Sequence, residues 1–160
     1  MILTLPQIEG KIREFAAIMN APEEFIPTFG SSNQTGLPHI EISNGHYTLI
    51  VCEKGKEFSR ESFDNFDDLV FKVVQDISFS MACERVFEDT NDQSYRERFF
   101  QVQKHILSKI DVNHNEKVKL YQESLTTEDT SALSESRKKI LLKSNNHKTP
   151  LQSRVFGKEK

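Results

Sequence analysis

A chain of 160 residues, 36% hydrophobic and 28% charged with a formal net charge of −3, has the makings of one modest core. No apolar run reaches the roughly 20 residues that span a bilayer. The opening "MILTLPQIEGKIREF" lacks the basic stretch and small-residue cleavage site of a secretory signal, so the expected location is the cytoplasm, with no membrane partner.

The charge is unevenly placed. Residues 1–125 carry 13 Lys/Arg against 20 Asp/Glu, whereas residues 126–160 carry 8 against 4. An acidic body argues against a nucleic-acid-binding domain, because phosphate must be met with positive charge. It suits a basic protein partner instead.

In chain order, the first predicted element is a helix from Pro6 to Asn20, with Ile8, Ile12, Phe15 and Met19 at helical spacing, Thr4 as cap and Pro6 in the first turn. The Pro-rich and Gly-rich stretch from Asn20 to Gly36 reads as a long loop. Leu37, Ile40 and Ile42 lead into Asn44-Gly45, the strongest short hairpin signal in a sequence, and Tyr47–Cys52 forms the return strand. Gly55 turns the chain into a more polar third strand, Glu57–Phe63. Three antiparallel strands in a meander, one face covered by helices, are the expectation.

From Asp64 the apolar period changes to that of a helix. Ser62 or Asp64 is placed to cap it, and Asp67 and Asp68 sit where the helix dipole favours anions. Phe66, Leu69, Val70, Val73, Ile77 and Met81 form one stripe, with Phe71, Val74, Ala82 and Val86 filling the flank, which marks a central buried helix. After a break at 89–94, a further helix runs from Tyr95 to Ile110 on a stripe of Phe99, Val102, Ile106, Leu107 and Ile110. "VNHN" ends it. A short segment, Glu116–Leu125, turns Val118 and Tyr121 or Leu125 inward. Polar, Ser/Thr/Lys-rich residues 126–160 read as a basic, weakly ordered extension beyond an α+β domain of residues 1–125.

Four groups of residues bear on chemistry. His39 and Glu41 share one face of a strand, and His46 across the hairpin makes a two-His, one-Glu metal site conceivable, the basis of an alternative reading as a small metal-dependent hydrolase. Cys52 and Cys83 lie in apolar settings that suit small core residues rather than nucleophiles. The acids Glu53, Glu57, Glu61, Asp64, Asp67 and Asp68 gather between the second strand and the helix start, a solvated edge or a partner-binding surface, with Asp89 and Asp92 as outliers. In "QDISFSMACE" (75–84) the small Ser78, Ser80 and Ala82 permit close helix packing, and Asp76 calls for a partner, with Arg96 and Arg98 as candidates for a structural polar core. No nucleophile elbow, phosphate loop or dinucleotide fingerprint is present.

Cys52-Glu53-Lys54-Gly55 with Glu57 and Arg60, the Asp67-Asp68-Leu69 helix start, Asp76 before Phe79-Ser80-Met81-Ala82, and Arg96 and Arg98 after Gln93 together resemble the bacterial immunity protein 63 family over about residues 37–125. The resemblance implies a non-catalytic cytoplasmic protein, without cofactor, metal or small-molecule substrate. Its role would be to bind and neutralise a cognate toxin of a polymorphic or contact-dependent system, a basic protein and plausibly a nuclease. A third reading, an adaptor whose basic "RKKILLK" (137–143) touches nucleic acid or membrane, rests on the tail alone.

Overall fold

A computed structural model gives the structure of the chain and describes residues 1–88, 95–110 and 116–125. Among these residues four α-helices and a four-stranded sheet follow one another as α1 (Leu5–Met19), β1 (Thr28–Phe29), β2 (Thr35–Ser43), β3 (His46–Glu53), β4 (Lys56–Phe63), α2 (Phe66–Glu88), α3 (Tyr95–Leu107) and α4 (Glu116–Ser124). The chain divides into two compact units, Met1–Ile77 and a second that begins at Ser78.

In the first unit, α1 opens where Gln7 Oε1 accepts from the Thr4 N–H at 2.9 Å, and Pro6 falls in the first turn, where its missing N–H costs nothing. Ile8, Ile12, Ala16 and Met19 form its buried face. The small Ala16 takes the place expected for Phe15, which lies half-buried beside it. Asn20 stops the helix in the left-handed conformation (φ 54°), while the Asn20 and Ala21 N–H groups donate to Ala17 and Ala16 carbonyls at 3.1 and 2.8 Å.

The expected loop 20–36 carries more structure than its composition suggested. A single 3₁₀ turn, Glu23–Phe25, is followed by β1, two residues that pair in parallel with β2 through Thr28–His39 and Phe29–Ile40. The sheet is therefore four-stranded and mixed, ordered β1-β2-β3-β4, not a three-stranded antiparallel meander. Pairing across ten intervening residues leaves no local signal, which is why β1 was invisible in the sequence.

The two hairpins obey local turn chemistry. Asn44 and Gly45 (φ 52° and 79°) and Lys54 and Gly55 (φ 50° and 79°) both adopt the doubly positive φ of a type I′ turn. Two-residue loops then fix the register, Ser43–His46 at one end and Glu53–Lys56 at the other. Within β3, Leu49 and Tyr47 point to one face and Thr48 and Ile50 to the other, and all four are buried. The Leu49 face meets α2, because Leu49 lines a small cleft with Val73 and Ile77, and the Tyr47 ring lies edge-on to Phe66 with centroids 6.0 Å apart.

Helix α2 is capped by Asn65, not by Ser62 or Asp64. The Asp68 N–H donates to Asn65 Oδ1 at 2.9 Å and the Asn65 amide donates back to Asp68 Oδ2 at 2.8 Å, closing a reciprocal cap. In the second unit Phe99 is fully buried, edge-on to Phe79 (5.0 Å) and to Phe100 (5.5 Å). Buried Gln103 donates to Ser78 Oγ at 3.2 Å and to the Tyr121 hydroxyl at 3.3 Å, linking residues of α2, α3 and α4. Val118, Tyr121 and Leu125 all turn inward. The expected break at 89–94, the helix end at "VNHN" and the extension 126–160 lie outside the described residues.

Candidate partner-binding surface

Among the described residues strand β4 is an outer strand of the sheet, and seven of its eight residues are exposed along their length. Its partner β3 pairs regularly from Tyr47–Phe63 to Val51–Ser59, then the register shifts and Cys52 faces Glu57. Phe58 is the extra residue of a β-bulge. The bulge changes which side chains share a face. Arg60 sits opposite Ile50 and Glu57 opposite Cys52, so Glu57 and Arg60 project to the same side. There Arg60 Nε and Nη2 donate to the two Glu57 carboxylate oxygens at 3.0 and 2.9 Å. Held by those hydrogen bonds, the Glu57 carboxyl titrates below its ordinary range and the Arg60 guanidinium above its own. Lys56 and Glu61 take the opposite face, where Lys56 Nζ stands 5.2 Å from the centre of the Phe58 ring.

The six acids singled out from the sequence do not converge. Glu53 and Glu57 lie by the Lys54-Gly55 turn, and Asp64 follows the far end of β4, roughly 20 Å away at about 3.3 Å per residue. Glu61 reaches Lys72 of α2 at 3.5 Å. Asp64, 88% exposed, accepts from His46 Nδ1 at 2.9 Å beside the Asn44-Gly45 turn. Asp67 is exposed in the first turn of α2, next to the capping Asp68. Asp64, Asp67 and Asp68 thus form one acidic corner, with Glu61 leading up to it, and Glu53 and Glu57 belong to the other end.

Asp76 has one partner on its own helix. Asp76 Oδ1 stands 3.3 Å from Lys72 Nζ, one helical turn earlier. The Arg96 side chain lies outside the described residues, and Arg98 is half-buried in α3. This i−4 pairing is a local one that the helical spacing alone makes available.

The two-His, one-Glu arrangement is not assembled. His39 is buried and its Nε2 donates to Glu41 Oε1 at 2.9 Å, but the register sets His39 against Ile50, four residues from His46, whose own partner is Asp64. Among the described residues no group of three or more His, Cys, Asp or Glu has the geometry to hold a metal. Cys83 is buried and Cys52 half-buried, and neither forms a disulfide among the described residues. Among the described residues no helix is long and apolar enough to cross a membrane.

Strand β4 and the acidic first turn of α2 thus present exposed charge side by side. The sequence profile of the immunity protein 63 family matches residues 43–123, just over half of the chain and the whole of β3, β4, α2 and α3. The chain belongs to that family. No curated protein and no solved structure matches it.

Proposed function

We propose that this protein neutralises a cognate toxin by binding it, without catalysis of its own. Membership of the immunity protein 63 family carries the reading. The net acidity of residues 1–125 supports a basic toxin, for which a nuclease is the natural candidate, because an enzyme that handles phosphate presents positive charge to its substrate. Glu53, Glu57, Glu61, Asp64, Asp67 and Asp68 are the proposed contact residues, and the corner of Asp64, Asp67 and Asp68 is its centre. Opposite charge across such a surface speeds encounter and selects the partner, an effect that salt weakens.

The test is co-expression with its cognate toxin domain. The protein should form a one-to-one complex and restore growth, and Asp64→Lys with Asp67→Lys should slow association while leaving the fold intact. An affinity indifferent both to ionic strength and to those reversals refutes the electrostatic surface. Growth inhibition unrelieved by the protein refutes the immunity role itself.

A further inference from the structure

The outer strand β4 is complementary to itself. Read from Lys56 to Glu61, its charges run plus, minus, two neutral residues, plus, minus. Two copies laid antiparallel about a two-fold axis between Phe58 and Ser59 place Lys56 opposite Glu61 of the other copy and Glu57 opposite Arg60. Each charge then meets its opposite, four times across the junction. The faces agree as well. The bulge puts Lys56 and Glu61 on one side of the strand and Glu57 and Arg60 on the other. A two-fold axis normal to the sheet preserves those sides, so every opposed pair shares a face. Without the bulge the pairs would fall on opposite faces and the match would fail.

We infer that β4 pairs with β4 of a second copy of this chain, joining two four-stranded sheets into one of eight. An outer strand offers unpaired backbone groups that a second strand satisfies. Phe58, 58% exposed in the single chain, comes to lie against the axis beside its symmetry mate. The neutral sum of the six residues favours this occupant over a strongly basic segment, which would meet Lys56 and Arg60 as repulsive neighbours. This pairing leaves the acidic corner at Asp64, Asp67 and Asp68 open but covers Glu57 and Glu61, so a toxin contact through those two glutamates and the dimer exclude each other.

The test is the mass of the protein in solution by sedimentation, with the two single variants Lys56→Glu and Glu61→Lys. The full chain is expected to sediment as a dimer. Each variant alone sets like charges opposite each other and should weaken self-association about tenfold or more. Mixed in equal amounts, the two variants restore both ion pairs and should form a mixed dimer. Circular dichroism of each variant shows whether it is folded, and Lys56→Glu touches no buried group. A wild-type chain that stays monomeric at its highest soluble concentration overturns the inference. So does a dimer that ignores both changes, or a mixture of folded variants that fails to associate. Either points instead to another occupant of the strand, such as residues 126–160 or the toxin.

Discussion

Glu61 on β4 and Lys72 on α2 are joined side chain to side chain, Oε1 to Nζ at 3.5 Å, and tie the outer strand to the helix beneath it. The same ammonium lies 3.3 Å from Asp76, so one partly buried cation, its side chain 20% exposed, serves two carboxylates. Truncating the lysine leaves Asp76, 24% exposed, with one compensating charge fewer. Lys72→Ala is therefore expected to cost about 1–2 kcal/mol, between the value of an exposed pair and that of a fully buried one. Urea denaturation should show a lower midpoint with an unchanged slope.

The turn between β3 and β4 holds a residue ill suited to it. Lys54 adopts φ 50° ahead of Gly55, a position in which Asn or Gly meets less strain. Lys54→Asn is expected to stabilise the protein by about 0.5–1 kcal/mol, read as a rise in the thermal midpoint. No change, or a fall, contradicts the turn assignment.

Phe99 is the centre of the second unit's aromatic packing, edge-on to Phe79 and Phe100 with no exposed surface. Phe99→Ala should cost about 3–5 kcal/mol, and Phe99→Leu clearly less, because the cavity left behind is smaller. Near-equal losses for the two variants contradict a close-packed site.

Stability at acid pH should follow two glutamates. Arg13 grips Glu23 through two hydrogen bonds of 2.9 Å, and Arg60 grips Glu57, so both carboxyls titrate below their ordinary 4.5 in the folded chain. A folded pKa below the unfolded one means the unfolded chain binds protons more readily. The contribution is fully present above about pH 4.5 and is lost as pH falls through the lowered values. Both pairs are solvent-exposed, so the loss is small. Carboxyl-carbon NMR should show Glu23 and Glu57 titrating below the ordinary glutamate range, and Arg13→Ala should return Glu23 to it.

What the sequence made legible was local. Asn44-Gly45 declared its hairpin because a type I′ turn needs those residues at two adjacent positions, and the stripe from Leu69 to Val86 declared the buried helix through its period. β1 escaped because two residues carry no period and its partner lies far along the chain. The cap of α2 fell one residue beyond Asp64, at Asn65, since both residue types suit that place and only the backbone geometry chooses between them. The acids from Glu53 to Asp68 are plain in the sequence, but whether Glu57 and Glu61 look the same way depends on one bulged residue. The alternation of strand side chains hides such an insertion until the register is known.

That insertion makes β4 a segment measured by its length. Glu57 and Arg60 are three residues apart, a spacing that an unbulged strand sends to opposite sides, and Phe58 is what brings them level. Deleting Phe58, or adding a neighbour, inverts every side chain between the turn and the bulge relative to the rest of the strand. Substitution there alters one contact, whereas a change of one in the count scrambles the whole surface. Members of the family that share this surface should therefore keep the number of residues from 56 to 61, whatever stands at 58 and 59.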